Sequence, residues 1–178
     1  REKNRLPLDV VFFDEEAIHP PTIEYVKRVS EIEEINLEWY CLEFQHRNAC
    51  SNEEPFWYTW DEDKKNLWVR EKPENAINYH PKFKKGMTFQ SFAPYLYDRK
   101  DGSVAMLTGI RTQESLRRFQ VIAKKKNEAF INAKSEGSQN QYRCFPIYDW
   151  SSEDVWLAVH KFGWDYNRTY DIFNKTKL

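Results

Sequence analysis

Bulk electrostatic binding to nucleic acid needs a clear basic excess, and this sequence has none. Its 27 Lys and Arg stand against 28 Asp and Glu, for a formal net charge of -1. Direct nucleic-acid binding is therefore not expected, although local basic groups remain at Arg117, Arg118, Lys124, Lys125 and Lys126. Cysteine is scarce too: Cys41, Cys50 and Cys144 are odd in number and widely spaced. That argues against a disulfide framework and fits a reducing cytoplasm. The same residues make a poor zinc set, because Cys41, His46 and Cys50 lack a clean second pair of close ligands. Only His80 and Cys144 are left by elimination. No apolar run approaches the ~20 residues of a membrane span, so no membrane partner is expected. Residues 1–5 lead into a strand pattern rather than a secretory leader. Since the first residue is Arg and not Met, the natural start is expected upstream. There are no internal repeats.

What is present fits one α/β domain over residues 1–178, long enough for a core of its own. The composition is 40% hydrophobic and 31% charged, and its 16% of aromatics can fill a core or face a base or partner. Val10, Val11, Phe12 and Phe13 run into Asp14, Glu15 and Glu16. This is the pattern of a buried parallel strand with acids at its carboxyl end. Asp14 there has two readings, a contact to a ribose or metal and a solvated loop acid. Pro20 and Pro21 open a helix with Ile23, Val26, Val29 and Ile32 on one face. Residues 35–42 read as the next strand, completing a βαβ unit in a parallel sheet.

The pattern then breaks over residues 43–85. Residues 55–60 and 67–70 flank a charged turn and read as a hairpin inserted into the domain. Its aromatics are expected to pack, with the wall of a base pocket as the alternative. Residues 88–100 read as a helix carrying Phe89, Phe92 and Leu96, with Pro94 as a weak point. The polar stretch 124–141 reads as a mobile loop or lid, and 142–150 as a last strand. Ser151 and Asp154 form an Ser-x-x-Asp cap for a helix with Val155, Val159 and Phe162 on its face and Gly163 at its end. Residues 164–170 read as a loop that returns toward the site.

The chemistry concentrates at residues 104–119. Val104, Ala105, Met106 and Leu107 run into Thr108-Gly109-Ile110-Arg111, and Leu116, Phe119 and Ile122 follow at helical spacing. Strand, tight turn and helix start make a ligand position in an open α/β sheet. Gly109 permits close backbone approach, the helix start offers N–H groups to an anion, and Arg111 adds a planar fork. The expectation is an anion site at Thr108, Gly109, Arg111, Ser115 and Arg118. A surface salt bridge is the plain alternative for Arg111, and a solvated helix face for Arg118.

Thr108-Gly109-Ile110-Arg111-x-x-Glu114-Ser115-x-x-Arg118, then residues 145–150 and Asp154-Val155-Trp156, resemble the phosphoadenosine phosphosulfate (PAPS) reductase family. Residues 10–14 are similar to that family's second strand. The resemblance implies the fold shared with ATP pyrophosphatases and adenine nucleotide alpha-hydrolase-like proteins: an open, mainly parallel sheet with helices on both faces. It implies an adenine nucleotide, ATP or PAPS, whose sulfate or phosphate end is held by Thr108, Gly109, Arg111, Ser115 and Arg118. Asp14 would then lie near the ribose or a magnesium ion (Mg2+). The implied activity is sulfur metabolism of a transferase or ATP pyrophosphatase kind, with catalytic residues unassigned.

Asn48-Ala49-x-Ser51, Trp57, Trp60 and Trp68-Val69-Arg70 are similar to a subgroup of this family described as regulators with a ParB-like partner. Two family features have no counterpart. A Ser-Gly-Gly-Lys-Asp-Ser phosphate loop is absent, and its place would precede Arg1. The chain is thus expected to lack the domain's first strand and phosphate cradle. The Glu-Cys-Gly-x-His tail of the thiol reductases is absent as well. Cys144, inside an expected strand, is a poor reactive thiol. The alternative to an enzyme is a nucleotide-sensing adaptor that binds a protein through its aromatic insertion.

Overall fold

The computed structural model describes residues 7–97, 102–123, 131–134 and 140–176. The fold class is α/β, with parallel pairing as expected. Among the described residues the strands fall into three small sheets. The chain divides into two compact units, Arg1–Phe92 with Tyr166–Leu178, and Ala93–Asp165.

In the first unit, β1 (Leu8–Phe13) pairs in parallel with β2 (Ile35–Tyr40) through α1 (Pro20–Ser30). The alternation of large residues sets this register: Val10 lies opposite Leu37 and Phe12 opposite Trp39, their rings edge to face at 5.4 Å. Pro20 and Pro21 start α1 where a missing N–H costs nothing. Ile23 and Val26 bury its inner face against Trp39, Cys41 and Trp60. Phe13, Phe44, Phe89 and Phe92 form a second aromatic cluster, with Phe13 and Phe89 stacked at 5.2 Å. Each such pair adds about 0.5–1.5 kcal/mol beyond its buried area.

The aromatic insertion folds differently from the hairpin its sequence suggests. β4 (Phe56–Tyr58) pairs antiparallel with β3 (Gln45–Arg47), and not with residues 67–70. Glu62–Leu67 instead forms a 3-10 turn. The reason lies in the core: Trp60 is fully buried and Trp68 packs edge to face on it at 5.2 Å. The two indoles fold the chain inward after β4. Ile77 then bridges Tyr40 in parallel, extending pairing beyond β2.

α2 (Phe89–Phe92) is a single turn followed by a 3-10 turn at Ala93–Tyr95. Pro94 cannot donate to the helical ladder, which is why the longer expected helix stops. The remainder of that expected helix, residues 98–100, lies outside the described residues. The tail read as a loop is partly helical, since α5 (Thr169–Thr176) belongs to the first unit. There Asn167 donates to Thr22 Oγ1 at 2.8 Å, fastening this segment to α1.

In the second unit β5 (Val104–Leu107) pairs in parallel with β7 (Gln141–Cys144), and β6 (Ile131–Lys134) pairs antiparallel with β7. Part of the stretch read as a mobile loop is therefore a strand; residues 124–130 and 135–139 lie outside the described residues. β7 ends at Cys144, earlier than expected, because Tyr148 N–H turns back to the Phe145 carbonyl. Ser151 caps α4 (Ser152–Phe162) in a complete capping box with Asp154, and Gly163 ends it at φ 63°. Ala158, Val155 and Val159 turn inward on α4, whereas Phe162 is 58% exposed and does not share the buried face.

Candidate functional site

The loop after β5 is held at both ends by main-chain bonds. Thr108 N–H donates to the Cys144 carbonyl at 3.0 Å, and Thr112 N–H to the Tyr148 carbonyl at 2.8 Å. These bonds continue the β5–β7 pairing past Leu107 and leave Thr108 and Gly109 exposed. Gly109 does not have a left-handed backbone; a Cβ there would meet Ile147 at an ordinary 3.8 Å. The turn itself therefore does not require glycine, and what glycine leaves is uncovered main chain.

Arg111 is extended, just before the 3-10 turn Thr112–Glu114. Its Nη1 reaches the Trp150 carbonyl at 3.3 Å and Ser152 Oγ at 3.5 Å. Gln113 Oε1 accepts from Ser152 N–H at 3.0 Å, tying the same turn to the start of α4. Arg111 Nε faces Glu114 Oε1 at 3.4 Å, and Arg118 Nη1 meets Glu114 Oε2 at 2.5 Å. Ser115 Oγ accepts from Arg118 N–H at 3.2 Å, so it caps α3 (Leu116–Ala123). A hydroxyl that accepts there still has its own proton to give. Thr108, Gly109, Arg111, Ser115 and Arg118 thus lie on one continuous loop and helix start in the second unit. The two guanidiniums share a carboxylate and supply planar donors suited to phosphate or sulfate.

Asp14 lies in the other unit and has different surroundings. It is fully buried. Trp39 Nε1 donates to Oδ2 at 2.7 Å, with the Cys41 thiol at 3.7 Å from the same oxygen. Oδ1 accepts from Glu16 N–H at 2.8 Å and pairs with Arg70 Nη2 at 2.5 Å. The Trp60 indole donates to the Asp14 carbonyl at 2.9 Å, and the Arg70 guanidinium stacks 4.9 Å from the Trp60 ring. A buried carboxylate needs such partners. Glu16 completes the centre from a left-handed backbone at φ 63°, its carboxylate accepting from Trp60 N–H at 2.9 Å. Burial, and then the Asp14 charge, push the Cys41 thiol far above its ordinary range, which makes it a poor nucleophile. Among the described residues no three His, Cys, Asp or Glu are grouped to hold a metal ion.

The sequence matches the family described as "Phosphoadenosine phosphosulfate reductase domain" over residues 2–172. The chain belongs to that family. At family level this supports nucleotide-binding, sulfur-transfer chemistry. A protein of Escherichia coli (strain K12), "Uncharacterized protein YbdN", is 32% identical over 160 residues. That alignment takes in 83% of this chain but 39% of the relative, so the chain spans about two fifths of the curated protein it matches. No solved structure matches the chain significantly.

In this PAPS reductase domain the residues that sequence reasoning missed are Arg70 and Glu16. Arg70 pairs with Asp14 across 56 positions of sequence, and no local spacing could reveal that. The available signal was a run of acids after β1 and an arginine beside Trp68 in the insertion. The insertion also helps line an open cleft of about 290 Å³, among Glu15, Gln45, His46, Arg47, Thr88 and Phe89. His46 Nε2 is buried there with no hydrogen-bond partner. No helix among the described residues is long and apolar enough to cross a membrane.

Proposed function

We propose that this PAPS reductase domain binds an adenine nucleotide, ATP or PAPS, and grips its phosphate or sulfate end at residues 108–118 for phosphoryl or sulfuryl transfer in the cytoplasm. The observation that carries the reading is Arg111. Its guanidinium is braced by the Trp150 carbonyl and Ser152, at the end of a parallel strand and before a helix start. A braced fork loses little freedom on binding and is ready for charge that develops on a transferring group. Ser115, Arg118 and the exposed main chain at Thr108 and Gly109 complete the grip.

Asp14 does not fit a magnesium site, since both its oxygens already accept from protein donors in a fully buried position. Asp14 serves instead to hold Arg70, Trp39 and Trp60.

Isothermal titration of the chain with ATP, PAPS and adenosine 5′-phosphosulfate tests the reading. At least one should bind, and Arg111→Ala should weaken it by tenfold or more, about 1.4 kcal/mol. Absence of binding, or affinity untouched by Arg111→Ala, rules the site out.

A second reading, a regulatory adaptor that senses the nucleotide without turning it over, is favoured by one feature. Phe56 and Trp57 of β4 are 52% and 38% exposed, unlike the buried Trp60 beside them. They suit a protein partner, ParB-like by resemblance. Turnover of bound nucleotide decides for the enzyme. Binding without turnover, joined to capture of a purified ParB-like protein that Trp57→Ala abolishes, decides for the adaptor.

A further inference from the structure

Arg111 and Arg118 converge on a single carboxylate. Glu114 offers Oε1 to Arg111 and Oε2 to Arg118, at 3.4 Å and 2.5 Å. The spacing explains the bridge: Glu114 follows Arg111 by three residues and precedes Arg118 by four, so one side chain reaches both. Arg111 is braced from behind by Trp150 and Ser152, whereas the Arg118 side chain is 47% exposed and can swing. The Glu114 side chain is itself 28% exposed, so solvent and small ions reach the bridge.

A carboxylate presents two oxygens to a guanidinium much as a phosphoryl or sulfuryl group does. We propose that Glu114 is a built-in competitor: its carboxylate occupies the seat that the phosphate or sulfate end of the ligand takes, and an anion binds by displacing it from the two arginines. This rests on residues 108–118 being the anion site, and it adds which residue sets the strength of that site. With Glu114 in place, two positive charges are met by one negative charge before any ligand arrives. Removing that charge relieves both the displacement and the repulsion between carboxylate and ligand.

The expected direction separates this role from a structural one. A bridge that merely shapes the loop weakens binding when it is broken, whereas a competitor strengthens binding when it is neutralised. A unit-charge repulsion at ~5 Å in a partly solvated site corresponds to roughly a tenfold change in affinity. The gain should be larger for pyrophosphate than for sulfate, which carries less charge. It should also shrink as salt rises, because the screening length is about 8 Å at physiological ionic strength and about 3 Å at 1 M.

The test titrates inorganic pyrophosphate and sulfate into the chain, comparing wild type with Glu114→Gln, Glu153→Gln and Arg111→Ala. Glu114→Gln keeps the side-chain shape and should bind pyrophosphate about tenfold tighter. Glu153→Gln removes the same charge from an exposed position on the first turn of α4 and should change affinity less than about threefold. Unchanged or weaker pyrophosphate binding by a Glu114→Gln protein that melts like wild type overturns the proposal. So does an equal gain from Glu153→Gln. In either case a loss of binding in Arg111→Ala leaves the anion site itself standing. Failure of wild type and Glu114→Gln alike to bind either anion removes the site and the competitor together. If Glu114→Gln does not fold, Glu114→Ala replaces it: it has no carboxylate to offer either arginine. A gain there supports the proposal, and no gain overturns it.

Discussion

Asp14 and Arg111 hold the same kind of position, each a charged residue just past a parallel strand, β1 for one and β5 for the other. Asp14 is fully buried, with the Trp39 indole and Arg70 on its carboxylate and the Trp60 indole on its carbonyl. Arg111 is braced on one side while the neighbouring Thr108, Gly109 and Glu114 remain open to solvent in differing degree. Topology alone makes both positions candidates for a ligand. What distinguishes them is the cover. The aromatic insertion closes over Asp14 and converts the first strand end into a structural centre. The second strand end keeps exposed main chain beside a planar cation, so it remains able to meet an anion.

The largest expected effect tests the sealed end. Asp14→Ala leaves Arg70 without its anion and two buried donors without an acceptor. Urea unfolding should show a loss of about 3–5 kcal/mol, against less than about 1 kcal/mol for Arg111→Ala. A cost for Asp14→Ala as small as that of Arg111→Ala would erase the distinction between the two strand ends. An intermediate effect is expected in the second unit. Ser151→Ala removes the cap from α4 and should cost about 1 kcal/mol, read as a lower thermal midpoint with nucleotide affinity little changed. A much larger fall in affinity would mean that the start of α4 braces Arg111 more than the fold requires.

The smallest effect concerns the cluster around Lys85, which pairs with Glu43 at 2.8 Å and Asp61 at 3.0 Å. Burial works to raise the Asp61 carboxyl, but the Lys85 hydrogen bond and charge outweigh it and hold it below its ordinary value. The Lys85 ammonium is held above its ordinary range, through its hydrogen bonds to Glu43 and Asp61. For a depressed carboxylate the stabilisation is complete above its unfolded pKa, about 3.9. It is lost as the pH falls through the lower folded value. For a raised ammonium it is complete below the unfolded pKa, about 10.4, and lost as the pH rises through the higher folded value. Lys85→Met should flatten the acid limb of the stability–pH curve by no more than about 1 kcal/mol, given the exposure of the pair. An unchanged acid limb would show that the pairing does not stabilise the first unit.

Much of the local structure was legible beforehand. The β1–α1–β2 unit followed from an apolar run, a proline-started amphipathic stretch and a second apolar run. The cap at Ser151 and the glycine stop at Gly163 followed from residue type alone. The loop and helix start after β5 were legible as well, because Arg111, Glu114, Ser115 and Arg118 follow a strand end at spacings of three and four residues. The partner of β4 was not, since Gln45–Arg47 is a short polar-looking segment whose pairing depends on where Trp60 and Trp68 are buried. Nor was β6, a short strand within a polar stretch, recognisable without β7 beside it.

By itself, then, the sequence determined the β1–α1–β2 unit, the caps of α4 and the grouping of Arg111, Glu114, Ser115 and Arg118 after β5, because these depend on neighbours a few residues away. Only the tertiary structure decided that Asp14 is a buried structural carboxylate and that Arg70, far along the chain, is its counter-ion. It also decided that Glu114 bridges two arginines instead of pointing into solvent. Desolvation and ion pairing depend on which groups are brought within a few ångströms, and for residues distant in sequence only the packed chain sets that distance.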